Sequence, residues 1–497
     1  MITRRTVLSL LASVAPILAS WPGRALRAAE GAQTWVNDVH ARLNRTRVRR
    51  VVKPGSVAEM QAAIRRAGEN GEAISIAGGR HAMGGQQFGE DTVLLDTTAM
   101  ARVLAFDSDK GLVEVEAGIQ WPALIDYLIR EQEGAAGQWG IRQKQTGADR
   151  LCLGGSLAAN VHGRGLTMKP IVEDVESFVL IDAEGEARTC SRQENTELFR
   201  LAIGGYGLFG AIATIKLRLG PRQKLRRVVE IAETDGLMDA FEQRIAEGFL
   251  YGDCQFSTDP ASDGFLRQGV FSCYQPVDPA TPVPAGQAKL SEQDWLKLLY
   301  LGHTDKRRAF EAYSSYYLST SGQVYWSDTH QLSAYIDDYH GILAPQLGAP
   351  DRGTEMITEI YVPRPALAEF MVAVQRDFLK HGVDFIYGTI RLIEQDDESF
   401  LAWAKQSFAC IIFNLHVPHT TAGLDKAAAD FRRLIDRALE RGGSYFLTYH
   451  RWARRGQIER CYPQFSEFLR LKRRLDPEER FQSEWYRHYR AMFADEL

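Results

Sequence analysis

Ala77-Gly78-Gly79-Arg80-His81-Ala82-Met83-Gly84-Gly85 is glycine-rich, carries one histidine and follows a segment, 73–76, that reads as a strand. A second stretch of the same character is Gly154-Gly155-Ser156-Leu157-Ala158-Ala159-Asn160-Val161-His162-Gly163. Glycine lets the backbone approach a ligand closely, and successive N–H groups form concave nests for phosphate oxygens. Two such nests in one domain point to a ligand with a pyrophosphate and more than one recognised end.

The surrounding pattern is a β-rich module. Val57, Met60, Ile64 and Ala67 recur at helical spacing, 92–96 and 112–118 read as strands, and 121–130 reads as the helix that follows. Farther on, 175–182 is a strand, 195–201 a helix and 211–217 a strand. Between the last two lies Gly205-Tyr206-Gly207-Leu208-Phe209-Gly210, a literal G-x-G-x-x-G. A Rossmann fingerprint must follow a strand and open a helix. Here a helix precedes and a strand follows, so that reading is rejected. Residues 31–50 read as a short helix and linker.

From 223 to about 440 the pattern changes. Strands at 251–258, 355–362, 384–393 and 410–417 mix with helices at 366–379 and 424–441, an order that suits an antiparallel sheet backed by helices. Residues 276–284 and 347–353 read as loops.

Composition limits the function classes. The chain has 497 residues, 45% hydrophobic and 25% charged, with 43 glycines and a formal net charge of −4. Its length asks for two or three domains, and its charge gives no case for nucleic acid. Six cysteines stand without a Cys-x-x-Cys, so no zinc motif is read and no metal is expected. Arg4-Arg5 precedes the apolar run 7–18 and small residues up to Ala28-Ala29. This reads as a twin-arginine export leader over 1–30 delivering a periplasmic protein without a membrane span, the alternative being a retained anchor.

The two glycine-rich loops together resemble those of the vanillyl-alcohol oxidase, or PCMH-type, FAD oxidoreductases, which include aldonolactone, alditol and berberine-bridge-like oxidases. The resemblance covers most of 50–220 and a closing segment that contains Arg480-Phe481-Gln482-Ser483-Glu484-Trp485. It implies an α+β protein: a two-lobed FAD-binding domain over 51–222, a substrate cap over 223–440 built on an antiparallel helix-backed sheet, and a C-terminal segment, 441–497, that completes the FAD domain. Gly78, Gly79, Arg80, His81, Ala82, Thr146, Gly147, Gly154, Gly155, Ser156, Asn160, His162, Gly163, Gly207, Gly210 and Ile212 are the implied cofactor-binding residues. In several family members the histidine of a Gly-x-x-His loop bonds the flavin covalently, which assigns that role to His81, although Arg80 and Ala82 stand where relatives often carry Gly and Ser. Some members add a bond from a cysteine upstream of the second loop. Here Ala148 stands near that place and Cys152 reads as offset, so a single bond is expected.

In the family the cap sheet roofs the flavin, so its polar face would be the substrate pocket. Strand alternation puts Glu355, Ile357, Glu359 and Tyr361 on one face, with Phe385, Tyr387, Thr389, Arg391 and Ile393 on another strand, Cys410, Ile412, Asn414 and His416 on a third, and Asp253, Gln255 and Ser257 on a fourth. Those faces could equally be solvated. As a pocket they suit a small hydroxylated substrate, with Arg391 anchoring an oxygen, Glu359 or His416 as general base, and Tyr449 and His450 reaching the flavin edge. The expected activity is oxidation of a CH–OH carbon, with O2 or another acceptor taking the electrons. Phenol or amine oxidation and non-catalytic flavin binding are the alternatives.

Overall fold

Three β-sheets surround one large cavity in the computed structural model, which describes residues 34–333 and 336–497. The expected export leader lies outside the described residues, and among them no helix is long and apolar enough to cross a membrane. The architecture is mixed helix and sheet.

The smallest of the three is parallel, in the order Arg50–Val52, Val93–Asp96, Ile74–Ala77. The Val57–Glu69 helix covers it with Met60, Ile64 and Ala67, the apolar positions whose spacing announces it. Ser56 caps that helix by accepting from the Glu59 N–H. The second sheet has five antiparallel strands, ordered Ala187–Ser191, Val175–Ile181, Ala211–Arg218, Leu112–Glu116, Val103–Asp107. The turn 205–210 does enter the Ala211–Arg218 strand after the Thr196–Ala202 helix, with Tyr206, Gly207 and Gly210 all at positive φ.

The third sheet has eight antiparallel strands. Its order is Val324–Trp326, Lys224–Glu233, Gln268–Pro276, Tyr251–Phe256, Phe385–Ile393, Phe408–Pro418, Gly353–Pro363, Ser444–Tyr445. The helices Leu237–Ala246, Leu367–His381 and Thr421–Leu439 contribute Phe241, Phe370, Val374, Phe431 and Leu434 to the core behind it, against Met356, Ile360, Ile390, Ile411 and Phe413 of the strands. The opposite face carries the polar residues and fronts the cavity.

The structure corrects the reading in three places. Residues 31–50 hold no helix among those described. Thr34–Val36 pairs antiparallel with Thr46–Val48, because the Asp38 carboxylate collects the N–H groups of Arg42, Leu43 and Asn44 at 2.8, 3.1 and 3.3 Å and fixes a loop. A bulge between Phe385 and Tyr387 breaks the alternation there. Phe385 turns into the aromatic core beside Phe413, while Tyr387 stays on the cavity. Finally, the strands Lys224–Glu233 and Gln268–Pro276 and the helices Glu292–Thr304 and Lys306–Ser319 were not foreseen.

The C-terminal segment first extends the eight-stranded sheet through Ser444–Tyr445, then reaches the three-stranded one. Ile74 N–H donates to Arg480 O at 2.6 Å, and Gln482 N–H donates to Ile74 O at 2.8 Å. The turn that delivers these groups is organised by Asp476. This buried carboxylate pairs with the fully buried Lys472 ammonium and accepts from the Arg480 and Phe481 N–H groups. Removing one partner of a buried pair costs about 3–5 kcal/mol. Lys472→Ala should therefore lower the unfolding free energy measured by denaturant titration by that order, and a loss below about 1 kcal/mol, the range of exposed pairs, would show that Asp476 is held by its backbone donors alone.

Candidate active site

The cavity has a volume of about 1100 Å³. Its first wall is the His81 loop, where Gly78, Gly79, Arg80, His81 and Ala82 all line it. Crowding explains the glycines. A side chain on Gly78 would stand 2.8 Å from the Cys152 Cβ, and one on Gly79 would run into the Arg150 carbonyl oxygen. Arg80 sits at φ 60° and reaches Asp96 at 3.1 Å. His81 shares a 3.0 Å hydrogen bond, Nδ1 to Nε2, with His40 of the Asp38 loop. Asn44 of that loop donates to Met83 O at 2.6 Å and clamps it there. Burial lowers the pKa of His81 to about 4 and that of His40 to about 3, so both rings are neutral at neutral pH.

The second glycine-rich segment supplies Gly154, Gly155 and Ser156, next to Thr146 and Gly147. A side chain on Gly154 would stand 2.8 Å from the Ala117 Cβ, whereas one on Gly155 would meet nothing within 4 Å and would project into open space. Gly207, Gly210 and Ile212 complete this end. Cys152 and Ala148 both line the cavity, and burial pushes the Cys152 thiol up to about 11.

Three expected cofactor residues lie behind the wall. Asn160 donates to Asp396 at 2.8 Å and accepts from the Val172 N–H. His162 is fully buried and bonds Glu359, and Gly163 donates to Gln143. They support the segment rather than face the cavity.

Glu359 is the centre of the opposite wall and has no exposure. It accepts from Tyr449 Oη at 2.7 Å, from Tyr361 Oη at 2.9 Å and from Gln145 Nε2 at 3.4 Å, and His162 Nε2 lies 2.9 Å away. Burial alone would raise its pKa, but His162, Tyr449 and Arg391 outweigh it and hold the carboxyl at about 2. A carboxylate so strongly held is a poor proton acceptor at neutral pH, so the base role expected of Glu359 gives way to an anchoring one. Arg391 Nη1 donates to Gln145 Oε1 at 3.2 Å, which ties it to Glu359 through one side chain. The loop carrying Gln145 is pinned by Lys144, whose buried ammonium lies 2.7 Å from Asp149.

Arg391 and Tyr449 line the cavity, as do Asn414, Tyr387, Asp253 and Gln255. His416 does not. It stands at the far end of its strand, where it pairs with Glu355 at 3.2 Å instead of joining Arg391. His450 also misses the cavity, because it is stacked on Phe431, with Tyr445 and Trp452 beside it, and bonds Thr358 at 3.2 Å. Burial lowers its pKa to about 3. Both lose their expected catalytic roles. Thr389 is buried against Cys254 O rather than on the cavity.

The helices that the sequence did not disclose form the last wall, with Trp295, Tyr313, Tyr316 and Tyr317. Arg227 packs over the rings of Tyr274, Tyr317 and Tyr325, and Arg164 over Tyr274.

Several buried polar atoms on the cavity find no partner among the described residues: Ser156 Oγ, Gln87 Oε1, Asn414 Oδ1 and Arg391 Nε. Buried polar groups are ordinarily satisfied, so a polar ligand or water is implied at these four points of the cavity.

Residues 48–191 match the family model described as an FAD binding domain, and the chain is an FAD-linked enzyme. Among curated proteins it is similar to the L-gulono-1,4-lactone dehydrogenase of Mycobacterium tuberculosis, 24% identical over 95% of this chain and 99% of that one. It is also similar to cytokinin dehydrogenase 4 of Oryza sativa subsp. japonica, 28% identical over 37% of this chain and 36% of that one. The mitochondrial L-galactono-1,4-lactone dehydrogenase of Brassica oleracea is 28% identical over 35% of this chain and 28% of that one.

The low pKa of Glu359 gives a signed pH prediction. Its ionisation stabilises the fold above the ordinary glutamate value of 4.5, and that contribution fades as pH falls through about 2. The stability gap between wild type and Glu359→Gln should therefore be widest at neutral pH and close on acidification, measured as denaturant midpoint against pH. A gap independent of pH would mean that Glu359 is not ionised in the folded protein.

Proposed function

We propose that this chain oxidises a CH–OH carbon of a small hydroxylated substrate of the sugar, polyol or lactone class. A flavin held by the glycine-rich loops would supply the hydride acceptor, with the hydroxyl proton released to water and the electrons taken up by O2 or another acceptor. The observation that carries this reading is the polar face of the eight-stranded sheet. Arg391, Asn414, Gln255 and Asp253 front the same cavity as the glycine-rich loops, and two of them have unpartnered buried atoms. Such a site rewards a ligand that pairs with every group and rejects one that cannot.

On this reading the three-stranded and five-stranded sheets are the two lobes of an FAD-binding module, 51–222, the eight-stranded sheet belongs to the cap, 223–440, and 441–497 returns to the module. The 78–82 loop, Thr146, Gly147, Gly154, Gly155, Ser156, Gly207, Gly210 and Ile212 hold the cofactor. His81 carries it covalently: its ring is neutral, and it lines the cavity on the glycine-rich loop. Cys152 keeps its proton and adds no second bond. Arg391 fixes the substrate oxygen, and Glu359 orients Arg391 through Gln145 and holds Tyr449 at the cavity wall. The leader at 1–30 sends the protein to the periplasm.

Amine oxidation is the second reading, favoured by the cytokinin dehydrogenase similarity. That similarity spans 37% of this chain, whereas the lactone dehydrogenase similarity spans 95% and so includes the substrate side.

Two experiments test the proposal. Flavin should stay with acid-precipitated wild type and be released from His81→Ala; extraction of free flavin from wild type would overturn the covalent assignment. Arg391→Ala should keep its flavin yet slow flavin bleaching by an aldonolactone or polyol about ten- to a hundredfold, the worth of a charge-assisted contact of about 1.5–3 kcal/mol, in stopped-flow absorbance. Bleaching by amines but by no polyol or lactone would replace the first reading with the second.

A further inference from the structure

Glu355 lies on the same strand and the same face as Glu359, and it too is buried. Its surroundings differ. His303 Nε2, from the Glu292–Thr304 helix, is 3.1 Å from Oε1, and His416 Nδ1, from the Phe408–Pro418 strand, is 3.2 Å from the same oxygen. His340 Nε2, from the Tyr339–Leu347 helix, is 3.0 Å from Oε2, where the Tyr339 hydroxyl also donates. Three imidazoles from three elements therefore converge on one carboxylate.

Charge balance does not ask for this. One protonated histidine neutralises one carboxylate, and each further protonated ring in a buried cluster repels the first. Neutral rings, by contrast, carry lone pairs, and those are metal donors. The donor atoms of His303, Glu355 and His416 all lie within 4.8 Å of one another. A tetrahedral cation with bonds of about 2.0–2.2 Å sets its donors roughly 3.3 Å apart, and the two contacts to Oε1 are 3.1 and 3.2 Å. The chain also leaves room for the His416 ring: a side chain on Gly353 would run into it.

We propose that His303, Glu355 and His416 bind one divalent transition-metal ion of the zinc class, with His340 holding the second oxygen of Glu355. Imidazole nitrogens with one carboxylate oxygen suit such ions better than Mg2+ or Ca2+, which take oxygen ligands. The ion fastens the Glu292–Thr304 helix to two strands of the eight-stranded sheet. Because Glu355 and His340 themselves line the cavity, it stands at the cavity wall. The site draws on no flavin-binding residue, so its fate is independent of the proposed reaction.

The test uses untagged, flavin-loaded protein stripped with a chelator, then titrated with Zn2+ by calorimetry and with Co2+ by visible absorption. Wild type should take up one equivalent of each, with the intense absorption bands of low-symmetry Co2+, and Zn2+ should raise its melting temperature. Loss of a second-shell partner costs about 10–100-fold in metal affinity, so His303→Ala, His416→Ala and Glu355→Gln should each weaken Zn2+ by at least about a hundredfold. His381→Ala, which lies outside the cluster on another helix, should not. If Glu355→Gln fails to fold, the two histidine variants decide. Absence of stoichiometric binding by wild type, or binding unchanged in the histidine variants, would overturn the proposal and leave a hydrogen-bonded network.

Discussion

A carboxylate with no exposure must be compensated on every side, and Glu359 imposes that requirement on three separate parts of the chain. His162 comes from the second glycine-rich segment, Tyr449 from the returning C-terminal segment, and Gln145 from the loop between the two glycine-rich stretches, with Arg391 one hydrogen bond beyond. None of these can shift without uncovering a buried charge. The cavity is therefore built around a point where the eight-stranded sheet, the glycine-rich segment and the C-terminal return are locked together.

The glycines work by a different constraint, that of space. At Gly78, Gly79 and Gly154 a side chain would strike neighbouring protein, so those positions bring chain segments into contact. At Gly155 it would strike nothing, so its missing side chain keeps cavity space clear. The two classes look identical in the sequence. They separate only when the packing is known, and it is the second class that speaks for a ligand.

What could be read from the sequence follows the same division between local and distant causes. Strands 353–363 and 408–418 alternate cleanly, because one face meets helices and the other meets the cavity, and their faces were legible. Phe385 was misplaced because a bulge adds a residue without any change of composition. The Lys306–Ser319 helix buries no residue fully, so it has no apolar stripe to reveal it, yet its tyrosines wall the cavity. The Asp38 loop is held by a side chain collecting backbone donors, which hydrophobic periodicity cannot show. His40 reaches His81 only through that loop. His416 has the right face of its strand but the wrong end, and alternation says nothing about distance along a strand.

Glu355 and Glu359 extend this to electrostatics. Four residues apart on one strand face, they read as equivalent: period put them on one face, and the family resemblance made that face a pocket wall. Folding gives Glu359 two phenols, an amide and one imidazole, a set that holds an anion by hydrogen bonds, with the Cys410 thiol 3.8 Å away. It gives Glu355 three imidazoles, whose lone pairs can be turned to an ion. A search for metal motifs based on cysteine spacing passes over such a site, because its donors at 303, 355 and 416 come from three elements and meet only through the sheet. The same strand therefore presents an anchored anion beside Arg391 and, two repeats of the pleat away, a set of donors whose chemistry is that of a cation site.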